Sequence, residues 1–117
     1  MVTYYIIILY YSIIMPVTLT KLTSGEKKFS AVFFDKEGKK LKTIRFGSRP
    51  YENYTIHKDK ERMRRYVDRH EKREDWTRAG KYSAGFWARW LLWSKPSFTD
   101  ALKLTEQKLG DKITYTR

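Results

Sequence analysis

Two histidines, His57 and His70, stand near Asp59, Glu71, Glu74 and Asp75, the one grouping in the sequence with the residue types of an acid-base or metal site. His70 and Glu74 are four residues apart, so on a helix they share a face, as two metal ligands do. A working metal centre needs at least three convergent ligands and an open position. No HExxH, Walker loop or glycine-rich phosphate cradle accompanies the pair. The expectation is therefore a chain that is not an enzyme and holds no metal or cofactor, with His70 packed under its helix and His57 near the helix start. A metal-dependent nuclease on His57, Asp59 and His70 is the catalytic alternative.

Residues suited to binding phosphate are more numerous. Lys58, Lys60, Arg62, Arg64, Arg65, Arg69, Lys72 and Arg73 crowd one short stretch, and Lys39, Lys40 and Lys42, with Lys36 and Arg45, add a second group. Cations of this kind neutralise phosphates and release counterions. A solvated helix face looks much the same, because Glu61 with Arg65 and Asp68 with Lys72 sit at the stabilising i, i+4 spacing. Trp76, Tyr82, Phe86, Trp87, Trp90 and Trp93 are the matching aromatic set. Single-strand binders stack bases on such rings. Helical spacing, though, is the signature of a core or a protein interface, and that is the expectation for these residues.

The surrounding composition sets the class. In 117 residues, 25 Lys and Arg stand against 13 Asp and Glu, a net charge of +12, which calls for an anionic or acidic partner. A hydrophobic fraction of 41% with 16% aromatics is too high for a disordered basic tail. At this length one domain is expected, burying about two-thirds of the surface its unfolded chain exposes. Absence of cysteine excludes disulfides, thiol nucleophiles and cysteine-based metal sites.

The elements that must position these residues follow from the patterning. Residues 1–15 are an uncharged apolar segment. As a helix, its apolar run of twelve residues would reach only about 18 Å against a hydrocarbon core of about 30 Å. It reads as an anchor touching a membrane or partner, or as an upstream extension that is not translated, Met15 being the alternative start; residues 16–117 then form a single basic domain. Period-two alternation through Phe29, Ala31 and Phe33, a turn at Asp35-Lys36-Glu37-Gly38 and a return strand from Lys39 to Phe46 predict a β-hairpin. Met63, Tyr66, Val67 and His70 form the apolar stripe of a helix over His57 to Arg73, with Thr55 as its N-cap. Tyr82 to Trp93 predicts a buried helix with Phe86, Trp90 and Trp93 on one face. Ser97 and Asp100 cap a last helix that stops at Gly110, before a tail or edge strand over residues 111–117. The fold class is α+β: a small N-terminal antiparallel hairpin or sheet packed against two or three helices.

The string RFGSRPYENYTIHKDKERMRRYVDRHEKREDW, followed by SAGFWARWLLWSKPSF, resembles a small basic family of unknown function in large nucleocytoplasmic DNA viruses, of the chlorella-virus (phycodnavirus) and mimivirus types. Its shared pattern is a strand ending in FG, then Y-x-x-Y/F-T-x-H-K-D, an Arg/Lys-rich helix with RY and RH, a Trp, and SAG before an R-[YW]-[IL]-L-W-x-K-P block. The likeness covers residues 29 to 100, and Trp87 and Ala88 before Arg89 depart from the usual form. The resemblance implies no activity and no catalytic residues. What it implies is a virion context, with the protein also in the infected cell's cytoplasm or nucleus. The expected role is a non-catalytic minor capsid component that contacts viral capsid proteins and, through residues 1–15, the internal membrane. The alternative is a nucleic-acid-binding protein associated with the genome.

Overall fold

A computed structural model of the chain describes residues 17–116; the apolar segment of residues 1–15 lies outside that range. Strand β1, Val17–Lys21, is followed by β2, Lys27–Phe34, and β3, Lys40–Ser48. Two helices follow, α1 over Tyr54–His57 and α2 over Lys60–His70. After a 3-10 turn at Arg78–Gly80, α3 spans Ala84–Trp87 and continues as a π-helical turn through Ala88–Leu92. Helix α4, Phe98–Leu109, and strand β4, Ile113–Thr116, complete the α+β fold.

The hairpin forms as the alternation predicts. Phe29 faces Phe46 and Ala31 faces Ile44 across an antiparallel ladder, and their side chains are buried. The Asp35 carboxylate builds the turn by accepting from the backbone N–H of Glu37 (2.9 Å) and Lys39 (2.8 Å), while Gly38 takes the positive φ of 85° that closes it. The sheet is larger than a hairpin and mixed, in the order β3-β2-β1-β4. β1 is antiparallel to β2 and parallel to β4, so the C-terminal segment is an edge strand. Sequence periodicity could not supply this pairing, because strands 96 positions apart meet only when the chain between them folds back.

One face of the sheet carries the core. Val17, Leu19, Phe33 and Phe46 close on Phe86, Trp87, Leu91 and Leu109 from the helical side. Trp87 is the largest side chain with no exposure; it meets Phe33 and Phe86 edge-on and donates its indole N–H to the Lys81 carbonyl at 2.9 Å. Two helix expectations need correction. The stretch from His57 to Arg73 is not one helix: Lys58 adopts a left-handed conformation, φ 57°, that ends α1, and Asp59 caps α2 by accepting from the N–H of Glu61 and Arg62. The cap of α1 is Asn53, not Thr55, because an amide oxygen at that position reaches the Thr55 N–H. The Tyr82 to Trp93 helix starts later, at Ala84, with Ser83 as its cap, and its π turn is closed by the Trp93 N–H on the Ala88 carbonyl. The three aromatics expected on one face differ in burial: Phe86 is fully buried, and Trp90 and Trp93 pack partly buried against the core. The last helix is as expected, with Ser97 Oγ accepting from Asp100 N–H at 3.3 Å and Gly110 (φ 78°) at its end.

Trp87→Ala removes the ring that sheet and helices share and is expected to lower unfolding free energy by about 3–5 kcal/mol, read as a shift of the urea midpoint at unchanged slope.

Candidate anion-binding cleft

Helix α2 has one buried side chain, Tyr66, and it fixes how the helix sits. The Tyr66 ring lies on Trp93 with centroids 4.3 Å apart and planes 2° from parallel, and its other neighbour is the His70 imidazole at 4.2 Å. Trp93 also meets His57, tilted by 56° at 5.3 Å. The two histidines thus pack on different rings, His57 on Trp93 and His70 on Tyr66. His70 Nδ1 pairs with Glu74 Oε1 at 2.8 Å, and Glu74 Oε2 accepts the Trp76 indole N–H at 2.8 Å. Glu74 packs against bare backbone at Gly85, where a Cβ would fall 2.7 Å from Oε2. Among the described residues no three His, Asp or Glu side chains are grouped to hold a metal.

At 100° per residue, the orientation of Tyr66 sorts the charges of α2. Arg62, Arg69 and Arg65 form a row beside Tyr66. Glu61 and Asp68 point outward, and Lys60, Arg64 and Glu71 occupy the far side. Arg62 and Arg69 line a cleft of about 570 Å³ whose opposite wall holds Lys27 and Lys28 at the start of β2. Two carboxylates also line it. Glu74 is occupied as described, and Glu52 approaches Arg62 only to 3.9 Å, with both side chains about half exposed. A surface pair of that kind contributes about 0–1 kcal/mol, so the cations remain available to a ligand.

The predicted basic residues thus separate into groups. Lys58 is a structural tie, donating to the Thr55 carbonyl at 3.2 Å and the Pro96 carbonyl at 2.7 Å. Arg64 pairs with Glu61 at 3.4 Å, so Glu61 serves the i, i+3 partner and not Arg65. Lys72 and Arg73 follow the end of α2, exposed. Lys39, Lys40 and Lys42 lie at the turn end of the hairpin, about 13 to 23 Å from the cleft residue Phe46 at ~3.3 Å per residue, and none of them lines the cleft. The aromatic set is largely internal: Phe86 and Trp87 are core, Trp90 donates its indole N–H to the Trp76 carbonyl at 2.9 Å, and Tyr82 is half exposed, edge-on to Phe33 at 4.7 Å. Arg89 is held inside this cluster, 4.6 Å from the Trp90 ring and 5.3 Å from that of Trp76, with Nη1 on the Trp93 carbonyl. Lys27 and Lys28 were missed, because nothing in a Lys-Lys pair at a strand start marks it as part of a site.

Environment tunes three of these groups. Burial first, and then the Arg49 charge, lower the Lys28 pKa, with Glu52 opposing. Burial, then Glu74, push the Tyr66 phenol upward, so it stays neutral. Burial, then Arg62, lower the His57 pKa against Asp59 and Glu52. His57 Nδ1 accepts the Asp59 N–H at 2.9 Å, and its Nε2 is buried without a partner among the described residues.

Residues 17–70 match the model of a family of unknown function, DUF5754. The matched stretch runs from β1 to the end of α2 and so includes the cationic walls of the cleft, while Glu74 and Gly85 lie beyond it. No curated protein and no solved structure matches the chain.

Since the folded state disfavours charged His57, the unfolded chain binds more protons below its ordinary pKa of about 6.5. Stability contributed by neutral His57 is complete above that pH and falls as the solution is acidified. His57→Gln is expected to flatten that part of the pH–stability curve measured by urea titration; an unchanged acid limb would assign the effect elsewhere.

Proposed function

We propose that the protein is a non-catalytic nucleic-acid-binding protein that grips the phosphate backbone with Arg62 and Arg69, flanked by Arg65, and with Lys27 and Lys28 across the cleft. The observation that carries this reading is the sorting of charge on α2: Arg62 and Arg69 share a cleft with Lys27 and Lys28, while Glu61 and Asp68 lie outside it. From Arg62 to Arg69 the row spans about 10 Å at ~1.5 Å per residue, the rise of about three base pairs at ~3.4 Å each. With Phe86 and Trp87 in the core, the tryptophan cluster offers few free ring faces, so recognition through charge fits better than a platform of stacked bases. A location in the virion or in the infected cell's cytoplasm or nucleus belongs to the same proposal.

The second reading, a minor capsid component, is favoured by apolar side chains left exposed: Leu41 at 55%, Tyr51 at 71% and Tyr82 at 46%. No helix among the described residues is long and apolar enough to cross a membrane, and the proposed membrane contact through residues 1–15 lies outside them. Fractionating purified particles separates the readings, a minor capsid protein following the shell and a genome-associated one the DNA.

Duplex binding is expected to weaken linearly with the logarithm of salt concentration. Arg62→Ala combined with Arg69→Ala should reduce the slope by about 1.8, at ~0.9 per lost phosphate contact. Arg64→Ala, which removes a residue on the far side of α2, should leave the slope unchanged. Equal effects of the two changes, or none from either, would refute the cleft as the contact surface.

A further inference from the structure

A second hollow, of about 560 Å³, adjoins the cleft and shares Lys28 and Asn53 with it. One wall is aromatic. Phe29 stacks on Phe98 with centroids 5.7 Å apart and planes 14° from parallel, and Phe98 meets Tyr115 at 5.2 Å. Phe29 is buried, whereas Phe98 and Tyr115 keep part of their surface open. Lys21, Lys28 and Arg49 supply the charge, and no lining residue is acidic.

The cations are positioned by the backbone and not by carboxylates. Arg49 Nε donates to the Gly25 carbonyl at 2.7 Å, and its Nη2 donates to those of Leu22, Ser24 and Lys27. This fixes the guanidinium plane and leaves Nη1 without a partner among the described residues. Lys28 Nζ donates to the Tyr51 carbonyl, leaving two of its three N–H bonds for another acceptor. Burial and the neighbouring Arg49 both act against the Lys28 charge, and an anion between the two cations would relieve that repulsion. Asn53 spends Oδ1 on Thr55, so its NH₂ is the group left to donate.

We propose that this hollow binds one nucleotide unit, with the base against Phe98 and Tyr115 and the phosphate among Lys21, Lys28 and Arg49. The inference deepens the nucleic-acid reading and rests on it: a strand gripped by the arginine row passes Lys28, and an unpaired base there has an aromatic wall to stack on. A free nucleotide has the same chemistry and would use the same contacts.

The test is a titration of the full chain, followed by NMR, with adenosine monophosphate, inorganic phosphate, a short single-stranded oligonucleotide and a duplex. Adenosine monophosphate and the single strand should shift the ring resonances of Phe98 and Tyr115, and inorganic phosphate should not. Tyr115→Leu should weaken single-strand binding about tenfold, the size of one lost base–aromatic stack. Lys21→Gln, at an exposed side chain, should lower the single-strand salt slope by about 0.7. Support comes in two forms: a single strand bound far more tightly than the mononucleotide makes a strand the ligand, and equal affinities make it the free nucleotide. Equal shifts with phosphate and adenosine monophosphate would overturn the base contact. Salt-dependent duplex binding without ring shifts from either nucleotide ligand would overturn this hollow and leave the backbone-binding proposal standing. Absence of all binding would remove both.

Discussion

The stack of Tyr66 on Trp93 is the contact on which the cationic surface depends. Tyr66 is the one buried side chain of helix α2, so this aromatic pair sets both its position and its rotation about its own axis. An aromatic pair contributes about 0.5–1.5 kcal/mol beyond its buried area, little for a helix this highly charged. His70 stacked on Tyr66 and His57 tilted against Trp93 extend the contact to four rings. Rotating α2 by one residue would carry Arg62 and Arg69 off the cleft wall, so ring geometry at the base of the helix decides what its charged side presents.

Trp93 is available for that stack because α3 gives way to a π turn. A regular α-helix through Ala88–Leu92 would place Trp93 with Phe86 and Trp90, facing the sheet core. The widened turn turns it toward α2, and Arg89 bonds the Trp93 carbonyl. Lys58 completes the arrangement from the other side: its left-handed backbone breaks the chain between α1 and α2, and its ammonium group binds the Pro96 carbonyl just before α4. A residue with the charge of a phosphate ligand thus holds helices together, and a residue with the pattern of a core helix shapes the surface.

Much of the fold was legible because its signals are local. Alternation in β2 and β3, the Asp35 to Gly38 turn, the Ser97 cap and the Gly110 stop each depend on residues within a few positions of one another, where backbone geometry is decided. Less of the site was legible. The sequence marks a crowd of lysines and arginines between residues 58 and 73 but does not separate Arg69 at a cleft wall from Arg64 in an ion pair or Lys58 in a backbone tie. Lys21, Lys28, Phe98 and Tyr115 carry no joint signal, since they come from three strands and a helix.

Taken by itself, the sequence determined the charge excess, the hairpin, the apolar stripe with Tyr66 and the caps of the last helix, because each is a property of composition or of short-range spacing. Tertiary structure decided the parallel pairing of β1 with β4, the break at Lys58, the π turn at Ala88 and the grouping of distant cations around two clefts. The physical reason is that these features arise from contacts between segments far apart in the chain. Their free energy exists only once the sheet face has closed on Trp87 and Leu91, and no window of sequence contains both partners.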